Sequence, residues 1–180
     1  MSEERGRIML AIARAAICSR FGKLFTCDES APWLYEPGAC FVTLTTGEEL
    51  RGCIGSLEAY RPLLQDLKLN ALAAAFRDPR FPPLGEGELE SVRVEVSLLS
   101  PLVPLVFRDE AEALAQLRPG IDGALLEFQR NRGTFLPQVW EQLPLPEQFF
   151  SHLKMKAGLS PTFWDEDVHL YRYSVDKYRE

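Results

Sequence analysis

Apolar side chains recur at helical spacing in two long segments of the chain. Between Glu3 and about Phe25 they follow the period of three to four residues that places them on one face of a helix. Pro62 opens a second such segment that runs to Arg77, since proline suits the first turn of a helix. Three shorter helices are predicted, over residues 109–117, 137–142 and 146–157.

Strand patterns occupy the intervals between these helices. The clearest runs from Ser91 to Ser100, where apolar and polar residues alternate. Strand-forming residues on both sides of Thr46-Gly47 predict a β-hairpin that joins residues 40–45 to the segment containing Arg51 and Cys53. Further strands are predicted over residues 103–107, 124–128, 134–136 and 168–175, with a turn at 131–133.

The order of these elements predicts the fold class. Helices interleave with strands, and some of the strands pair as hairpins, so we expect an α+β or mixed α/β domain. Its sheet should be mixed but largely antiparallel and flanked by helices, unlike a purely parallel doubly wound sheet. No repeat, low-complexity tract or charge block interrupts the pattern, so residues 1–180 are predicted to form a single domain without a flexible linker.

Composition and charge limit the classes of partner. Hydrophobic residues make up 46% and charged residues 26% of the 180 residues, which are values typical of a globular domain. The formal net charge of −6 argues against a broad surface for nucleic acid or an anionic membrane. No apolar run is long enough to span a bilayer, and residues 1–7 do not resemble a signal peptide, so we expect a cytoplasmic protein.

Four cysteines and two histidines are the residues from which a soft metal site would be built. None of the cysteines is spaced as Cys-x-x-Cys and both histidines lie far downstream, so no metal site is expected and the thiols should be free. These residues are Cys18, Cys27, Cys40, Cys53, His152 and His169.

The candidate chemistry is concentrated in Leu50-Arg51-Gly52-Cys53-Ile54-Gly55. Alternation along a strand places Arg51 and Cys53 on the same face, where a cation beside a thiol favours the reactive thiolate. Gly52 and Gly55 carry no side chain that would block a ligand or another backbone. The alternative is that Cys53 is a small core residue and that the glycines only relieve crowding in the sheet.

The hairpin raises one further hypothesis about Cys53. If a two-residue or four-residue loop is centred on Thr46-Gly47, Cys40 lies directly opposite Cys53, close enough for the two sulfurs to meet. A three-residue loop would break this register. The sequence alone does not choose between these loops.

Four segments together resemble the AMMECR domain family, whose bacterial members are called AmmeMemoRadiSam system protein A. In order and spacing they extend over nearly the whole chain. They are Phe41-Val42-Thr43-Leu44 with Leu50–Gly55, Asn70-Ala71 with Ala74–Phe81, Val94–Leu99, and Gly133–Trp140 with Lys156–Leu159.

This resemblance implies a compact fold with a larger and a smaller lobe and a cleft between them near the Leu50–Gly55 strand. It also implies work beside a Memo-type protein and a radical S-adenosylmethionine enzyme. The resemblance does not settle which reaction, if any, the chain carries out. No cofactor is expected, and the chain carries no iron-sulfur ligand set.

Five further polar residues are candidate ligand-binding groups, and three of them also have a structural alternative. Asn70, Asp78 and Arg80 follow the motif, and the Asp78/Arg80 pair would either bind a polar ligand or pin its loop by an ion pair. Thr134 and Gln138 flank the start of a short helix, where free amides could hold an anion, although Thr134 would equally serve as a cap.

Three functional classes remain open, and the sequence does not decide whether the protein is an enzyme. The favoured class is a module that binds or presents a small molecule, a peptide or a protein substrate at the motif, because no convincing base accompanies the thiol. The second is a cysteine-dependent enzyme or transferase, with Cys53 as nucleophile and Arg51 stabilising the thiolate. The third is a purely structural interaction domain.

Overall fold

A computed structural model describes residues 2–180 as two compact units. The first unit runs to Leu99 and takes in Asp176–Glu180, and the second is Ser100–Val175. The α-helices are α1 (Ser2–Ser19), α2 (Leu63–Phe76), α3 (Glu110–Ala115) and α4 (Pro146–Lys156). The strands are β1 (Ala39–Thr46), β2 (Glu49–Gly55), β3 (Val92–Leu99), β4 (Val103–Pro104), β5 (Gly123–Phe128), β6 (Asn131–Phe135), β7 (His169–Tyr173) and β8 (Val175–Arg179).

The first unit is a four-stranded sheet in the order β2-β1-β3-β8, with α1 and α2 packed against one face. Alternate residues of β1 point into this interface, where Val42 and Leu44 are fully buried. The facing helices supply apolar side chains at helical spacing, such as Ile12 of α1 and Leu67 of α2. Removing these side chains from water fastens the helices to the sheet.

The second unit has its own four-stranded sheet, in the order β4-β7-β5-β6, and its own core. Trp140 stacks on Phe149 of α4 at 3.8 Å between ring centroids, and its indole nitrogen donates to the Asp122 carbonyl at 2.7 Å. That hydrogen bond satisfies the polar end of a buried aromatic side chain. Burial also raises the pKa of Tyr173 on β7 to about 12.

The predicted mixed α/β class with antiparallel pairing and flanking helices is confirmed, but the strands form two sheets rather than one. The strand expected over 168–175 is two strands, because the chain leaves the second sheet at Ser174 and β8 joins the first. The residues on both sides of Ser174 favour a strand, so strand propensity alone does not reveal that the chain changes from one sheet to the other there.

Two element boundaries were predicted wrongly. The first helix ends at Ser19, before Gly22 adopts a positive φ of 68°, and does not reach Phe25. The turn expected at 131–133 lies inside β6, and the reversal occurs one step earlier, at Gln129-Arg130, where Gln129 has a φ of 54°.

The hairpin register that would bring Cys40 opposite Cys53 is also wrong. The two-residue loop is Gly47-Glu48, with Gly47 at a φ of 61°, and a bulge after Leu44 shifts the pairing further. Cys53 therefore faces Thr43, while Cys40 pairs with Leu98 of β3. All four cysteines are free thiols.

Candidate functional site at Cys53

Cys53 lies on β2, one of the two edge strands of the first sheet. Its neighbour Gly52 faces Ala74 of α2, so alternation places the Cys53 side chain on the opposite face of the sheet. There its Sγ lies 3.2 Å from the Thr43 hydroxyl, at hydrogen-bonding distance, and the residue is half-buried. Cys53 is therefore a partly exposed residue whose thiol has one polar side-chain neighbour.

The loop after α2 encloses the backbone of Cys53 on the open edge of the sheet. Asp78 Oδ2 accepts from the Cys53 amide at 2.9 Å, and Arg80 Nη2 donates to the Cys53 carbonyl at 3.3 Å. One residue of an edge strand thus has both its outward backbone groups satisfied by side chains. This arrangement closes the edge to pairing with another chain at that position.

Asp78 and Arg80 also hold each other. Arg80 Nε and Nη2 donate to the two carboxylate oxygens of Asp78 at 3.0 and 2.7 Å, and the Arg80 amide donates to Oδ1 at 3.0 Å. The Asp78 side chain is 2% exposed and that of Arg80 is 54% exposed. A two-pronged ion pair therefore presents a half-exposed guanidinium in a fixed orientation beside the Cys53 backbone.

The electrostatics of this cluster follow from those contacts. The hydrogen bonds from Arg80 hold the pKa of Asp78 far below its usual range, against the opposing effect of burial. The pKa of Arg80 is raised, chiefly by its hydrogen bonds to Asp78 and then by the charge of Asp78 and of ionised Cys53. Arg80 is thus the cation whose charge interacts with Cys53.

Arg51 is bound elsewhere. Its Nε and Nη2 donate to the two carboxylate oxygens of Glu88 at 2.7 and 3.1 Å, which lowers the pKa of Glu88. Glu88 in turn accepts from the Gly85 amide at 2.7 Å and so caps the 3₁₀ turn Glu86–Glu88. Arg51 fastens this turn to β2.

Both glycines of the motif, Gly52 and Gly55, pack closely against other residues of the same unit. A Cβ on Gly52 would come within 2.1 Å of the Ala74 carbonyl oxygen, and one on Gly55 within 2.2 Å of the Phe41 ring. Gly52 therefore allows β2 to approach α2 closely, and Gly55 leaves room for a cross-strand aromatic ring.

Asn70 belongs to a buried polar network beneath the sheet. Its amide donates to the Cys40 carbonyl, the Ser56 hydroxyl and Asp66 Oδ2 at 3.0 to 3.1 Å. Asp66 has no exposed surface and also accepts from Arg61 at 2.7 Å. The network ties β1, the end of β2 and α2 together.

The remaining two predicted residues belong to the second unit. Thr134 on β6 hydrogen-bonds the Tyr173 hydroxyl at 3.0 Å, and Gln138 is exposed on the 3₁₀ helix Pro137–Glu141. The first unit thus brings together Cys53, Asp78 and Arg80, whereas Arg51 and Asn70 make separate contacts within the same unit.

Comparison with known proteins assigns the family. The AMMECR1 family model matches residues 10–178. The chain belongs to the AMMECR1 family. It is 38% identical to a protein of Methanocaldococcus jannaschii, over 98% of this chain and 90% of that one. A protein of Thermotoga maritima is 39% identical over 89% of each chain.

A solved structure supports the same assignment. The crystal structure of an uncharacterized protein from Pyrococcus horikoshii matches this AMMECR1-family chain with a TM-score of 0.82 and 32% identity, over 99% of this chain and 92% of that one. The resemblance expected from the sequence motifs is confirmed.

Thr43 and Glu95 share a row with Cys53 in this AMMECR1 chain, although neither was predicted as a site residue. Thr43 pairs with Cys53 on one side and with Glu95 on the other, so the three residues form a row across β2, β1 and β3. Glu95 is only 15% exposed and forms an ion pair with Arg179 of β8. A hairpin loop placed at Gly47-Glu48, with the bulge, would have revealed this row.

The AMMECR1 chain was also searched for a metal site and for a membrane-spanning helix. Within residues 2–180, no group of three or more histidine, cysteine, aspartate or glutamate side chains is arranged to hold a metal ion. In the same residues, no helix is long and apolar enough to cross a bilayer.

Proposed function

We propose that this protein binds or presents a small molecule or a protein substrate at the Leu50–Gly55 motif, as a partner of a Memo-type protein and a radical S-adenosylmethionine enzyme. The observation that carries the proposal is the half-exposed guanidinium of Arg80, held by Asp78 beside Cys53. The partners rest on the family resemblance.

A preorganised guanidinium is suited to recognition. Its hydrogen bonds to Asp78 and to the Cys53 carbonyl use Nε and Nη2, and among residues 2–180 its Nη1 has no hydrogen-bond partner. An arginine already fixed in place loses little conformational entropy when an acceptor group of a ligand arrives. Thr43 and Cys53 supply a hydroxyl and a thiol nearby on the same strand pair.

The surroundings of Cys53 favour binding over nucleophilic catalysis. The polar side-chain contact of its sulfur is a hydroxyl, and the unit that carries it contains no histidine. A cysteine nucleophile ordinarily needs a base or a strong thiolate-stabilising group within hydrogen-bond reach.

A cysteine-dependent enzyme or transferase is the second candidate. The electrostatic attraction between Arg80 and ionised Cys53 supports it, with Arg80 in the thiolate-stabilising role first assigned to Arg51. A purely structural interaction domain is the third class, in which the motif only packs.

The proposal is tested by isothermal titration calorimetry of the protein with a Memo-type protein and with a radical S-adenosylmethionine enzyme. We expect binding by the parent, weaker binding by Arg80→Gln, and unchanged binding by Cys53→Ser. Arg108→Gln is the matched control, because Arg108 is 90% exposed and lies in the second unit. No binding by the parent would overturn the partnership, and equal binding by the parent and Arg80→Gln would remove Arg80 from the site.

The enzyme candidate is tested by the pH dependence of Cys53 alkylation, resolved by mass spectrometry. Cys27 serves as the internal reference, since it is also half-buried and burial together with Glu29 raises the pKa of its thiol. Rapid labelling of Cys53 with a midpoint well below the free-thiol value of about 8.5, lost in Arg80→Gln, would support covalent chemistry. Labelling that resembles that of an ordinary thiol would leave the binding role.

A further inference from the structure

A groove of about 760 Å³ opens in the second unit between α3 and α4, far along the sequence from Cys53. Both carboxylates and apolar side chains line it. The side chains used in the argument below are Asp109, Glu110, Leu114, Pro146, Glu147 and Trp164.

The charge in this groove is only partly compensated. Glu110 pairs with Lys154, whose side chain is 3% exposed and whose ammonium lies 4.6 Å from the centroid of the Phe150 ring. Asp109 and Glu147 are exposed, and neither forms an ion pair with any part of the chain that the structure describes. The groove therefore keeps a net negative charge.

The walls offer a surface for an apolar stem and a flat cation. Leu114 and Pro146 are half-buried and present aliphatic carbon to the groove. The Trp164 ring, also half-buried, is held against Phe107 and Phe150 at centroid distances of 5.6 and 6.3 Å. An aromatic ring so fixed can accept a cation over its face.

We propose that this groove binds a basic segment of a partner protein. The aliphatic stem of an arginine or lysine packs on Leu114 and Pro146, and its charged head meets Trp164 and the two unpaired carboxylates. Arginine suits the site best, because its planar guanidinium both stacks on an aromatic ring and pairs with carboxylates. Charge complementarity selects this occupant over an acidic or neutral segment.

The carboxylates also have a local structural role, and the test must separate the two. The Asp109 side chain caps α3 by accepting from the Glu112 amide at 2.8 Å. Asparagine caps helices as well as aspartate does, so Asp109→Asn removes the charge and keeps the cap. Glu147→Gln likewise removes a charge and keeps the length of a side chain that lies in the first turn of α4.

The experiment titrates the intact protein with hexa-arginine while the indole N–H signals of its tryptophans are followed by NMR. Trp164→Phe assigns the Trp164 signal among the three tryptophans. Hexa-glutamine and hexa-glutamate are the probe controls. Glu141→Gln is the matched protein control, since it removes the same charge from an exposed residue outside the groove.

We expect hexa-arginine to shift the Trp164 signal and the other two peptides not to. Asp109→Asn and Glu147→Gln should each weaken binding about threefold, the loss typical of one partly exposed charge contact, while Glu141→Gln leaves it unchanged. An unmoved Trp164 signal overturns the proposal. So does an equal loss in Glu141→Gln, which would show general attraction to an acidic protein. Neither result bears on Cys53, which lies in the other unit.

Discussion

The Asp78 carboxylate accepts a hydrogen bond from the backbone amide of Cys53 at 2.9 Å, across 25 positions of sequence. The same carboxylate is held by Arg80, so the backbone at the candidate site depends on one buried acid. Its charge state should therefore be visible in the stability of the protein.

Asp78 should contribute stability that disappears in acid. Because its pKa is lowered in the folded state, its contribution is complete above the unfolded value of about 3.9 and is lost as the pH falls below that value. Asp78→Asn should cost about 2 kcal/mol at pH 6, since it removes charge-assisted hydrogen bonds, and the cost should shrink towards pH 3. Urea unfolding of both proteins across this range measures the difference.

The control for this prediction is Asp176→Asn, at an exposed position, which should change stability little at any pH. A gap between parent and Asp78→Asn that stays constant from pH 6 to pH 3 would contradict the prediction.

Gly52→Ala should destabilise the protein by about 2 to 3 kcal/mol. The added Cβ would lie 2.1 Å from the Ala74 carbonyl oxygen, so β2 and α2 would have to separate. Gly87→Ala is the matched control, because nothing lies within 4 Å of its Cβ position. Thermal unfolding of the three proteins is the measurement, and similar melting temperatures for the two variants would show that the contact yields easily.

Thr43→Val should slow alkylation of Cys53 at neutral pH by roughly fivefold. The substitution removes the hydroxyl 3.2 Å from Sγ, which can donate to the thiolate, and keeps the shape of the side chain. Thr45→Val is the control, because Thr45 pairs with Leu50 and Arg93 rather than with Cys53. Rates relative to Cys27 in the same sample report the effect, and unchanged Cys53 labelling in Thr43→Val would mean that the hydroxyl does not act on the thiolate.

Asp66→Asn should cost about 3 kcal/mol and expose Cys40. The buried carboxylate accepts from the Cys40 amide, the Ser56 hydroxyl and Arg61 at 2.6 to 2.9 Å, and an amide nitrogen in its place would face some of these donors. Cys40 is fully buried and burial raises the pKa of its thiol, so the parent should resist its alkylation. Chemical unfolding and labelling of Cys40 provide two readouts, and a variant as stable as the parent would show that the network can rearrange.

The sequence by itself determined the elements and the family. The alternation in Val92–Leu99 and the helical spacing in Leu63–Phe76 arise from the periods of strand and helix, which are local properties of the backbone. It also singled out Cys53, Asp78 and Arg80, because a thiol, a carboxylic acid and a cationic side chain within short motifs can be recognised from residue types alone.

Only the tertiary structure decided which of these residues meet. Arg51 is two positions from Cys53, yet it binds Glu88, whereas Arg80 reaches the Cys53 carbonyl from 27 positions away. The loop at Gly47-Glu48 and the bulge after Leu44 set the register that places Thr43 beside the thiol. Such contacts depend on how a turn is closed and on where α2 ends, and a shift of one residue moves every side chain of a strand to the other face.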